Sequence, residues 1–113
     1  MTSTTDRVEP HELTLEQFAA RTSVVALANH GRKWDVRFAD TYSSFSDAAT
    51  QQEAIVDAHR GAVNNALYFN TPDASDFGPK PSMPPAEVLA LYPDVVARFP
   101  ELNLAPGQQA SLF

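Results

Sequence analysis

Proton transfer and metal binding near neutral pH fall first to histidine, and this chain sets its three far apart, at His11, His30 and His59. No His-Glu-x-x-His pair occurs. The one local combination, His11-Glu12 with Glu16 a turn later, straddles a predicted helix start where ligand geometry is poor, so these side chains read as solvated surface groups. His59 borders an apolar helical stripe between Asp57 and Arg60, a setting in which an imidazole titrates near neutrality; we read it as a boundary residue. Glycines stand singly at 31, 61, 78 and 107, which removes the phosphate-cradling loop and the dinucleotide fingerprint. Ser43, Ser44 and Ser46 lack the Gly-x-Ser-x-Gly elbow of a hydroxyl nucleophile. Asp73 and Asp76 are spaced as turn residues, not as calcium ligands. With cysteine absent, thiolate catalysis, cysteine-ligated zinc, iron–sulfur clusters and disulfides are excluded. The expectation is a non-enzymatic protein with no catalytic residues, no metal and no cofactor. A small hydrolase or isomerase pairing His59 with a carboxylate ranks behind two binding functions.

Binding chemistry offers more. His30, Arg32, Lys33 and Arg37 form the one basic group of an acidic chain, on the turn and outward face of a predicted hairpin, with Asp35 interrupting it. They read as a solvated strand face that also guards the sheet against edge pairing, or as a docking patch for an acidic protein surface or a phosphate. Eight basic against fourteen acidic residues give a net charge of -6 and a pI near 4.8, the wrong sign for a polyphosphate backbone. Nucleic acid is therefore not the expected partner.

The elements that must hold these groups follow from periodicity. The chain has 113 residues, 43% hydrophobic and 19% charged, which suits one globular domain. Residues 1–12 are polar and aperiodic and read as a flexible lead-in. Thr14 with Gln17 forms a capping box ahead of Leu15, Phe18 and Ala19, predicting a short helix over 14–21. Trp34, Val36 and Phe38 alternate with Lys33, Asp35 and Arg37, the period of a half-buried strand. Ser23–Ala28 precedes it across a turn at Asn29 and Gly31, making a hairpin. Thr41–Ser46 supplies a third strand. The aromatic set Trp34, Phe38, Tyr42 and Phe45 is expected in the core. Thr50 and Glu53 cap a main helix over 50–65, in which Gly61 and the alanines permit close approach to the sheet. Ala66–Phe69 reads as a short fourth strand. Residues 70–84 hold four of the nine prolines and form a strap or linker. Val88, Leu91, Tyr92, Val95 and Phe99 then mark a helical stripe, which Pro93 must break into two short helices or one kinked helix. The tail, 105–113, is aperiodic. No run of about 18 apolar residues and no signal-peptide pattern is present, so a soluble cytoplasmic protein is expected.

The succession of helix, three strands and helix over 14–65 resembles the double-stranded-RNA-binding domain, but the second helix opens Gln51-Gln52-Glu53-Ala54 where that family places phosphate-binding lysines, so RNA binding is not implied. Val24-Val25, Gly31, Trp34-Asp35-Val36 and Thr50-Gln51-Gln52-Glu53-Ala54-Ile55 together resemble a family of small bacterial hairpin-plus-helix proteins, and residues 23–69 are similar in shape to HicB-type antitoxins. The resemblance implies a shape and a bacterial or phage origin.

The sequence thus predicts an α+β domain over 13–69, a three- or four-stranded antiparallel meander packed on one main helix, with short helices at 85–104 docking on that domain or on a partner. The expected function is a protein-interaction or adaptor role, with a protein partner or a second copy bound through Arg32, Lys33 and Arg37 of the hairpin or through Val88, Leu91, Tyr92, Val95 and Phe99. The alternative is an antitoxin-like regulator that binds nucleic acid or a toxin.

Overall fold

The computed structural model describes residues 8–27, 33–38, 42–72, 74 and 80–102. Its elements in chain order are α1 (Leu15–Ala20), β1 (Thr22–Ala26), β2 (Trp34–Phe38), β3 (Tyr42–Ser46), α2 (Gln51–Tyr68), α3 (Ala86–Leu89) and α4 (Pro93–Val96), with 3-10 turns at Pro10–Glu12 and Pro100–Leu102. The strands form one antiparallel meander in the order β1-β2-β3, and α2 lies across one face of it.

Local chemistry starts and stops each element. Thr14 accepts from the Gln17 amide at 3.2 Å while Gln17 accepts from the Thr14 amide at 3.0 Å, closing the box that opens α1. Thr50 accepts from the Glu53 amide at 3.1 Å at the start of α2. Satisfied first-turn donors of this kind are worth about 1 kcal/mol each. Between β3 and α2 the chain is pinned by the Trp34 indole, which donates to the Ala48 carbonyl at 2.9 Å.

Helix α2 has two working sides. Ala54 and Ala58 face Val36 and Phe38 of β2, and Phe18 of α1 stacks on Phe38 with ring centroids 5.5 Å apart. Val63 and Leu67 face the other way, onto Val88, Tyr92, Val95, Val96 and Phe99. Pro93 lacks an amide hydrogen and takes the first position of α4, so the apolar stripe is delivered as two separate turns. Both turns seat on α2, where each large side chain gains about 1.5–3 kcal/mol of burial.

Two expectations are corrected. Ala66–Phe69 forms no fourth strand: α2 runs on to Tyr68, because Ala66 and Leu67 extend its buried side and the Asn70 side chain donates to the Ala66 carbonyl at 2.8 Å. Among the described residues the sheet has three strands. Residues 8–12 are not a loose lead-in, since Pro10 and His11 are buried and His11 Nε2 sits 3.0 Å from the Ser82 hydroxyl. Part of the strap lies down as well: Thr71 and Ala74 are buried, and Asn70 donates to the Pro81 carbonyl at 3.0 Å. Expectations for residues 1–7, 28–32, 39–41, 73, 75–79 and 103–113, with His30, Gly31, Arg32, Asp73, Asp76 and Gly78 among them, lie outside the described residues.

Candidate interaction surface

A strand presents alternate residues to opposite sides, so covering one face of the meander with α2 turns the intervening side chains of β2 outward. Cross-strand register places Val25, Asp35 and Phe45 in one row of that outer face and Ser23, Arg37 and Ser43 in the next. Val25 and Phe45 are 42% and 52% exposed, whereas Asp35, between them, is only 4% exposed. Its burial on an open face has a local cause. Arg37 Nε donates to Asp35 Oδ2 at 2.7 Å, and the Ser43 hydroxyl donates to Oδ1 at 2.9 Å, so two side chains of the adjacent row fold over the carboxylate. Burial by itself raises the Asp35 pKa, but the two hydrogen bonds and the Arg37 charge outweigh it and hold the group below its ordinary 3.8.

The result is a face with apolar ends and an ionised, pre-oriented polar centre. The Arg37 side chain keeps 56% of its surface exposed, so its outer edge is open to a carbonyl or carboxylate while Asp35 fixes its stem. Apolar contact around oriented donors suits recognition of a protein surface.

Other concave regions offer less. A groove of about 550 Å³ between α2 and β3 contains Arg60, Asn64 and Arg98, but Arg60 is paired with Asp94 and Arg98 donates to Asn64 at 3.1 Å. A smaller cavity of about 180 Å³ is lined by Pro10, Ala62, Ala66 and Phe69 together with Glu9, His11, Tyr42 and Asn65, but the surface it exposes is mainly apolar. Among the described residues no group of three or more His, Asp or Glu side chains is placed to hold a metal ion, and no helix is long and apolar enough to cross a membrane.

His59 is not a boundary residue. It is fully buried, with Nε2 2.7 Å from the Leu13 carbonyl and Nδ1 2.7 Å from the Tyr92 hydroxyl. A carbonyl only accepts, so Nε2 carries the proton and Nδ1 of the neutral ring accepts from Tyr92. Burial pushes the imidazole pKa down, with His11 adding to the effect and the Leu13 bond opposing it. The Tyr92 hydroxyl is pushed up to about 12, by burial outweighing the nearby Arg60 charge. Both ring nitrogens of His59 are thus committed to holding the N-terminal segment, α2 and the C-terminal helices together.

The structure divides the expected partner-binding residues. Lys33 and Arg37 are exposed beside the open face, and Arg32 lies outside the described residues. Val88, Tyr92, Val95 and Phe99 are buried against α2 of their own chain, which corrects their reading as a partner surface: the apolar stripe already has its cover. Leu91, at 45% exposed, is the member left outside. Phe45 departs from the expected aromatic core and faces away from it. Its parity carried the signal, since it lies three residues from inward-facing Tyr42 and must take the opposite face. Val25 and the Asp35–Ser43 contact had no comparable signal.

Comparison with protein-family models, curated proteins and solved structures finds no match to the chain.

Proposed function

We propose that this chain is a non-enzymatic protein-interaction module, an adaptor that presents the outer face of its meander to a protein partner. One observation carries the reading: Val25 and Phe45 remain exposed on either side of the Asp35–Arg37 pair, on the face opposite α2. The docked C-terminal stripe supports it by withdrawing Val88, Tyr92, Val95 and Phe99 from contention. Partial neutralisation of Arg37 by Asp35, in a chain of net charge -6, favours a protein over a polyphosphate. The complete engagement of His59 favours binding over catalysis. The resemblance of residues 23–69 to small bacterial hairpin-plus-helix proteins extends the reading to the cytoplasm of a bacterial or phage-infected cell.

Affinity capture from the source cells, read by mass spectrometry, tests it. Phe45→Asp and Val25→Asp alter exposed positions of the face, and Gln52→Ala alters an exposed position of α2 on the far side. The same partner is expected with the wild-type chain and Gln52→Ala and is lost from both face variants. An unchanged partner with folded Phe45→Asp rules the face out.

A further inference from the structure

We infer that β1 pairs antiparallel with β1 of a second copy, joining two meanders into one continuous sheet; the inference deepens the protein-interaction reading by naming one partner, the chain itself. β1 is an edge strand, hydrogen-bonded to β2 alone among the described residues. The Leu27 amide donates to the Lys33 carbonyl at 2.9 Å, and in an antiparallel ladder the residues that bond inward alternate. Ser23, Val25 and Leu27 therefore direct their backbone groups to β2, and Thr22, Val24 and Ala26 direct theirs outward.

Within Thr22–Ala26 that edge carries none of the sequence devices that normally blunt an edge strand. Thr22-Ser23-Val24-Val25-Ala26 contains no charge and no proline, and its register with β2 runs without a bulge. Arg37 does not guard it, because it belongs to β2, the central strand. β3, at the opposite edge, is tied to α2: Tyr42 donates to the Ala58 carbonyl at 3.1 Å and Ser46 to Asp57 at 2.8 Å.

The sequence of the edge selects a second copy as its occupant. A two-fold axis at Val24 sets Val24 opposite itself, Ser23 opposite Val25 and Thr22 opposite Ala26, so every pair is uncharged despite a net charge of -6 on each chain. A charged peptide strand would find no counter-charge there. Val24 is half-buried and packs on the core beside Val36, and the opposing Val24 would cover its open flank. An isologous pairing of this kind closes on itself and yields dimers, not fibres. A five-residue strand makes a small interface, so association is expected to be reversible and concentration-dependent.

Sedimentation of the full chain over a concentration series is expected to show a monomer–dimer equilibrium. Ala26→Pro removes an outward amide and leaves the β2 ladder intact, and Val24→Lys sets like charges opposite one another; each should weaken the dimer about tenfold or more. Phe45→Asp, on the face, should leave it unchanged, which separates failure of this inference from failure of the face. In a chain without cysteine, Val24→Cys should cross-link to itself under mild oxidation, reporting the register directly. Amide exchange on the wild-type chain gives a readout independent of any variant, with protection at Val24 and Ala26 rising with concentration. A wild-type chain that stays monomeric throughout, or a dimer in which Val24 and Ala26 exchange as fast as in the monomer, overturns the inference.

Discussion

Nδ1 of His59 lies 2.7 Å from the hydroxyl of Tyr92, 33 residues further along the chain, and the imidazole's other nitrogen reaches the Leu13 carbonyl 46 residues before it. One fully buried ring thereby closes the N-terminal segment and the C-terminal helices onto α2. Tyr92→Phe keeps the aromatic volume and leaves Nδ1 without a donor, which should cost about 1–3 kcal/mol in denaturant unfolding. Arg98→Ala, which removes an exposed bond to Asn64, should cost well under that. Equal losses from the two variants would show that the His59 bond carries no special weight.

Acid should act on the same ring. The folded-state pKa of His59 is depressed below 6.5, first by burial, so below that pH the unfolded chain binds a proton that the folded chain refuses. Its stabilising contribution is complete above about pH 6.5 and declines as pH falls from there toward the folded value. His59→Gln, which cannot titrate, should flatten this part of the stability curve. An acid limb of the same steepness in wild type and His59→Gln assigns the effect to other groups.

The carboxylate on the open face responds in a lower window. Because Asp35 is held below 3.8, with its bonds from Arg37 and Ser43 overcoming burial, its contribution is present above that pH and is lost as pH falls through the folded value. Asp35→Ala should destabilise by about 1–2 kcal/mol near neutrality. Arg37→Ala should cost less than 1 kcal/mol, because an exposed cation adds little to an ion pair and Ser43 still serves the carboxylate. Chemical denaturation of both variants checks the order; a larger loss from Arg37→Ala reverses it.

How much of this was legible in the sequence depends on the range of the signal. Alternation at Trp34, Val36 and Phe38, the cap at Thr50 with Glu53, and the break at Pro93 are local, and the structure contains the strand, the helix start and the pair of short helices they predict. The end of α2 is harder to read, because the four residues Ala66–Phe69 establish no period by themselves, although Ala66 and Leu67 follow Ala62 and Val63 by four positions on its buried side. The role of His59 rests on partners 46 and 33 residues away, and no local pattern encodes such a pairing. On the candidate face, the parity of Phe45 was readable, but the burial of Asp35 depends on Ser43 of the neighbouring strand and appears only once the register is known.

Close packing of α2 on β3 gives the last test, and it concerns the one glycine inside that helix. A Cβ added at Gly61 would lie 3.3 Å from the Tyr42 hydroxyl, which is itself held by its bond to the Ala58 carbonyl at 3.1 Å. Alanine in place of glycine gains about 1 kcal/mol of helix propensity, but here the new methyl must displace a hydroxyl that is anchored to the same helix. Gly61→Ala in the wild-type chain should therefore recover less than half of that gain. In a Tyr42→Phe background the obstructing oxygen is gone, and the same substitution should recover most of it. The difference between the two, measured as a double-mutant cycle in denaturant, reports the cost of the contact. A full gain already in the wild-type chain would show that the tyrosine yields freely and that close approach is not what keeps glycine at this position.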